Sequence, residues 1–154
     1  MKIFAMLPVL FMSCLANAEM TSPQDVIKDY MSAWNAHNAE KAATYFSKDV
    51  QYYDVTVGKS EVGQLNARDH VIKVFMDAVP NLKWKMIGQP IVGQDSIAFE
   101  WEFSGKNTGV WAGTAPTNKD ISFKGVSFVH LHHGKITYQG DYYDAANLNQ
   151  QLGL

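Results

Sequence analysis

The hydrophobic period of this chain changes once, and the change divides it into a helical part and a stranded part. Up to Val79 the apolar residues recur at spacings of three and four: Val26, Ile27, Tyr30, Met31 and Trp34 form one stripe, and Val71, Ile72, Phe75, Met76 and Val79 another. From Leu82 onward the period falls to two, most clearly where Ile97, Phe99, Trp101 and Phe103 alternate with Ala98, Glu100, Glu102 and Ser104. Helices followed by a run of adjacent strands predict an α+β domain with an antiparallel sheet, because a parallel sheet would need a crossover between successive strands.

Local signals place the boundaries. Ser22 suits the N-cap of the first helix, with Pro23 at its first position and Asp25 where an acid complements the helix dipole; Asn35-Ala36-His37-Asn38 ends it. A short second helix is expected over Ala39 to Phe46, a strand over Val50 to Val57, a loop over Gly58 to Gly63, and a third helix from Asn66 to Val79, stopped by Pro80. Gly105 to Asp120 reads as a long connection, and Ile121 to His132 with Lys135 to Tyr143 as a hairpin around Gly134. Asp144 can cap a last helix through Ala145 to Leu152.

The first eighteen residues stand apart from this pattern. Lys2, the apolar run Ile3 to Leu15 and the small-residue site Ala16-Asn17-Ala18 have the form of a cleavable export signal, cut after Ala18, which leaves residues 19–154 as one domain in a periplasmic or secreted setting. The run is shorter than the roughly 20 apolar residues that span a bilayer, so no membrane span is expected. Phe11-Met12-Ser13 before Cys14 makes a poor lipoprotein-type site, and Cys14 is the only cysteine, so the mature domain is expected to have no thiol or disulfide. With Lys2 removed, 12 basic residues face 15 acidic ones, mixed along the chain. No basic patch emerges, which argues against nucleic acid as a partner.

Several segments, taken in order, resemble the SnoaL-like polyketide cyclases: Trp101-Glu102-Phe103-Ser104-Gly105-Lys106-Asn107-Thr108-Gly109, Ile121-Ser122-Phe123-Lys124-Gly125-Val126-Ser127, Gly134-Lys135-Ile136 and Asp141-Tyr142-Tyr143-Asp144, with Ala33-Trp34-Asn35-Ala36-His37 and Val79-Pro80-Asn81-Leu82 agreeing earlier. The resemblance implies the NTF2-like cone shared with ketosteroid isomerase, in which a curved antiparallel sheet and N-terminal helices enclose an apolar pocket, and it implies a homodimer. It also implies acid/base chemistry with no metal or organic cofactor, carried by a carboxylic acid on the last strand, whose matching position is Asp141. An apolar pocket would have to lift Asp141 above the ordinary aspartate value of roughly 3.9. Where the polyketide cyclases carry a histidine on the preceding strand, this chain has Ser127, which can orient a ligand but cannot relay a proton near neutrality. A type I turn with Gly134 as bulge residue would set Ser127 opposite Gln139, on the same sheet face as Asp141.

Each candidate has a plain structural alternative. Asp141 could be a solvated strand-end carboxylate, and Asp144 is most simply a helix cap. Trp101 and Phe103 suit either core or cavity wall; Tyr30 and Trp34, one helical turn apart, and Tyr53 on its strand pack a core or reach into a pocket. His70 is a satisfied structural histidine or a second polar group of the pocket. His130, His132 and His133 lack a helical two-histidine zinc signature, and no metal site is expected from them. Three functions remain open at this stage: a cyclase or isomerase working through Asp141 on a small hydrophobic or cyclic molecule, a non-catalytic binding module for such a molecule, and a structural homodimer.

Overall fold

The computed structural model describes residues 22–154; the expected leader, its cleavage site and Cys14 lie outside them. Helix α1 (Pro23–Asn35) starts as its sequence predicts, with the Ser22 hydroxyl accepting from the Asp25 amide. Val26, Ile27, Tyr30, Met31 and Trp34 are all buried, so the stripe is the face turned to the core. Helix α2 (Ala39–Ala43) stops short of Phe46, which instead opens strand β1 (Phe46–Asp54). A single inward aromatic fits either period; its ring is claimed by Tyr30 and Tyr52, 5.4 and 5.7 Å away between centroids. Strand β2 (Ser60–Val62) pairs antiparallel with β1 where a loop was expected, since three residues are too few to show a period.

The third helical stretch begins at Gln64 and has three pieces: α3 (Gln64–Ala67), a π-helical turn (Arg68–Ile72) and α4 (Lys73–Ala78). Strands β3 (Lys83–Val92), β4 (Ser96–Lys106), β5 (Asp120–His132) and β6 (Lys135–Tyr143) complete a curved six-stranded sheet in the order β2-β1-β6-β5-β4-β3. Every neighbouring pair is antiparallel except β1 and β6, which run parallel. β1 departs there from the antiparallel pairing of the other strands because it joins β6 across most of the chain, and no hairpin dictates its direction. Asp144 caps the last helix α5 (Ala145–Leu152) through the Asn147 amide, as expected.

Helix α1 is tied to the sheet by one side chain. Asn35 donates to the Met31 and Trp84 carbonyls at 3.0 and 2.8 Å and accepts the Trp84 amide at 2.8 Å, so the end of α1 takes the place of a neighbouring strand beside β3. The helices lie over one face of the sheet, and the space between is packed with aromatic rings: Tyr30, Trp34, Phe46, Tyr52, Trp84, Phe99 and Trp101 are each at most 5 % exposed. Where an apolar pocket was expected, side chains occupy much of the interior.

The register of the β5–β6 hairpin differs from expectation. His133 and Gly134 both have positive φ, 48° and 72°, which makes a two-residue type I′ loop closed by the His132–Lys135 pair. A bulge then inserts Thr137 between Ile136 and Tyr138, and Ser127 faces Asp141 rather than Gln139. The two registers differ by two residues, so the sheet face was right and the partner was wrong.

Candidate functional site

Asp141 sits on the inner face of β6, 5 % exposed, wrapped by side-chain donors. The Ser127 hydroxyl donates to Oδ1 at 2.5 Å and the Tyr52 hydroxyl to Oδ2 at 2.6 Å, while the Gln139 amide lies 3.1 and 3.0 Å from the two oxygens. Burial raises its pKa most, and the charge of Asp54, its register partner on β1, raises it further; the three donors pull the other way, and the balance leaves Asp141 pushed up to about 7. A carboxyl there can both give and take a proton near neutrality.

The Ser127 contact is built by a glycine. Trp101 on β4 faces Gly125 on β5, and a Cβ at position 125 would lie 2.3 Å from the indole Cζ2. Without it the indole lies across the strand, and Nε1 donates to Ser127 Oγ at 2.8 Å. Ser127 is thus set from one side and donates its hydrogen bond to Asp141, which is positioning rather than relay. Ser127 and Gln139 are both 0 % exposed, so the donors around the carboxyl are themselves desolvated.

Tyr30 and Trp34 close this region from α1. The Tyr30 hydroxyl faces Trp34, Tyr52 and Gln139, and burial pushes its pKa upward, yet Tyr30 OH, Trp34 Nε1 and Gln139 Oε1 are buried without a hydrogen-bond partner. Buried polar atoms are nearly always paired, so these three are exceptions within the packed interior.

The sequence candidates therefore divide. Tyr30, Trp34, Trp101 and Ser127 come together around Asp141. Phe103 is buried at 4 % exposure but packs against Phe75 and Phe123, away from the carboxyl. Tyr53 lies on the outer face of the sheet, stacked on Tyr142 at 5.4 Å, because the strand alternates and Tyr52 and Asp54 take the inner positions. His70 is exposed and hydrogen-bonded to Glu61 at 3.0 Å. Tyr52, Gln139 and Asp54 were missed; the alternation along Tyr52-Tyr53-Asp54 could have found two of them had the inward parity been known.

A cleft of about 600 Å³ opens beside this cluster, between the residues after β1 (Val55, Thr56, Val57), the third helical stretch (His70, Val74, Phe75), the long connection and α5. The connection is held in place by buried Asn107, which donates to the Ala78 and Gly109 carbonyls and accepts from Thr117, and so delivers Trp111 to the cleft wall. His70 stands at this wall; Asp141 does not. Among the described residues no His, Cys, Asp or Glu group has the form of a metal site, and no helix is long and apolar enough to cross a membrane.

The family described as SnoaL-like polyketide cyclase matches residues 24–152. Among solved structures, a protein with a ketosteroid isomerase-like fold from Catenulispora acidiphila, crystallised with trimethylamine, superposes with a TM-score of 0.72 at 19% identity, covering 87% of this chain and 95% of its own. A SnoaL-like polyketide cyclase assignment from Jannaschia gives 0.72 at 12%, covering 86% and 95%. TerC, co-crystallised with polyporic acid, gives 0.69 at 12%, covering 85% and 98%. No curated protein matches the sequence significantly.

Proposed function

This chain belongs to the SnoaL-like polyketide cyclase family, and on that premise we propose that it binds a small, largely apolar molecule and moves a proton on it with Asp141, without a metal or organic cofactor. The observation that carries this reading is a carboxyl pushed up to about 7 beside three buried, unpartnered polar atoms. Asp141 is wrapped by its donors, so a proton leaving the guest reaches it through Tyr52, whose hydroxyl oxygen takes up the guest's proton as its own passes to Oδ2. Tyr30 OH and Trp34 Nε1 then offer donors to an oxygen of the guest, where charge develops as a proton leaves or arrives. Two fold neighbours crystallised with small organic molecules are in keeping with a binding role.

Asp141→Asn tests this reading. In a panel of small cyclic ketones and enols, turnover by the wild type that vanishes in the variant while binding persists supports it; unchanged turnover refutes it. A structural homodimer is the second reading, favoured by one observation: every Asp141 oxygen already has a donor and the interior around it is packed with rings. In that case Asp141→Asn alters neither turnover nor affinity.

The reading extends to place and assembly. Residues 1–18 have the composition of a cleavable export signal, and the periplasm or the extracellular space is proposed as the site of action; mass spectrometry of mature protein should find Glu19 at the N-terminus. A homodimer is proposed from the family resemblance, supported by Phe128 and Tyr142 exposed at 50% and 42% on the outer sheet face. Sedimentation of the purified protein at the monomer mass would refute it.

A further inference from the structure

His70 is held from behind by a buried carboxylate. Its Nδ1 lies 3.0 Å from Glu61 Oε2, and Lys59 Nζ lies 3.0 Å from the other oxygen, Oε1. The Glu61 side chain is 7% exposed against 58% for His70, so the pair joins the interior to an open imidazole. The hydrogen bonds from His70 and Lys59 hold the Glu61 carboxyl below the usual carboxylate range, which leaves it ionised and able only to accept. In a neutral imidazole so placed the proton sits on Nδ1, and Nε2 carries the lone pair. Among the described residues no hydrogen bond reaches Nε2. Two elements build this setting: Glu61 comes from β2, and His70 from the π-helical turn, whose Val71 and Ile72 are fully buried and fix the turn against the core. Single π turns inside helices recur at functional sites.

His70 lines the cleft, and with Nδ1 spent on Glu61 its Nε2 is the ring nitrogen left for a guest. No wall residue is lysine, arginine, aspartate or glutamate, so the cleft has no fixed charge with which to hold an ion. The wall is mostly apolar, chiefly Val57, Val74, Phe75 and Trp111, and the Thr56 hydroxyl already donates to Asp54. We propose that the cleft takes a small, neutral, largely apolar molecule carrying a hydroxyl, that His70 Nε2 accepts the hydrogen bond of that hydroxyl, and that Glu61 is the positioning residue that keeps the nitrogen bare. The inference rests on the small-molecule reading above and adds the group that recognises the molecule from the cleft side. Asp141 does not line the cleft, so the two groups can be tested apart.

The test compares 2-naphthol with its methyl ether, which has the same rings and no donor, by titration of the purified protein at pH 8 followed in 1H–15N spectra. The wild type should prefer the naphthol by about fivefold, the size of one neutral hydrogen bond, with shifts at Val57, Val74 and Trp111. His70→Phe keeps a ring at this exposed position and should bind both probes alike, whereas Asp141→Asn should keep the preference. Long-range 1H–15N spectra of the imidazole read the tautomer: Nδ1 should carry the proton in the wild type, and Glu61→Ala should release it to a mixture and weaken the preference. Equal binding of the two probes at the cleft, a preference that survives His70→Phe, a wild-type proton on Nε2 or a tautomer unmoved in Glu61→Ala overturns the inference and leaves the small-molecule reading standing. Shifts confined to the surroundings of Tyr30 and Asp141 do the same. The absence of shifts with either probe overturns both.

Discussion

Replacing Asp141 by asparagine should shift stability in the variant's favour as pH rises, although it alters a buried hydrogen-bonded residue. The carboxyl moves from the ordinary aspartate value of 3.8 to about 7 on folding. A raised value means that the folded state holds the proton more tightly. The stabilisation is therefore complete below the unfolded value and is lost as pH rises through about 7. Each factor of ten in proton affinity corresponds to about 1.4 kcal/mol, so the full effect is about 4 kcal/mol, of which about 2.5 kcal/mol falls between pH 5 and 8. Asparagine keeps an acceptor for Ser127, and a flip of the Gln139 amide would present its orphaned Oε1 to the new NH2. Urea unfolding of variant and wild type at intervals from pH 5 to 8.5 measures the difference. From pH 5 to pH 8 the stability difference between the two proteins should move by about 2.5 kcal/mol in the variant's favour. A wild-type stability that stays flat or rises over this range, or the same slope in both proteins, would show that burial does not raise Asp141 as described.

Ser127→Ala leaves the Trp101 indole unpaired and takes one donor from Asp141; it should cost about 1–3 kcal/mol and move the pH midpoint of the stability loss upward. Gly125→Ala puts a Cβ 2.3 Å from the Trp101 ring and 2.7 Å from the Tyr142 carbonyl oxygen, and should destabilise by about 1–3 kcal/mol with a change in tryptophan near-UV dichroism as the indole is displaced. Asp144→Ala removes the cap of α5 and should cost about 1 kcal/mol in urea unfolding, without altering the titration of Asp141.

Much of the architecture was legible because its signals are local. The Ser22 and Asp144 caps, the buried stripe of α1 and the alternation of β4 each rest on a few neighbouring residues, and each holds in the structure. The failures have a common cause. Phe46 could belong to helix or strand, β2 is too short to show a period, and the direction of β1 beside β6 depends on residues most of the chain apart. The exchange of Tyr53 for Tyr52 follows from the same limit: alternation says that neighbours point opposite ways, and packing says which way is in.

The sequence by itself determined the α+β order, the resemblance to a cyclase family and the carboxyl on the last strand. Tertiary structure alone decided what that carboxyl is. A type I′ loop and the Thr137 bulge set Ser127 against Asp141, the missing Cβ of Gly125 let Trp101 reach that serine, and the parallel pairing of β1 brought Tyr52 and Asp54 beside it. The physical reason is that a pKa and a hydrogen bond depend on desolvation and distance between groups far apart in the chain, and neither has a local signature in the order of residues.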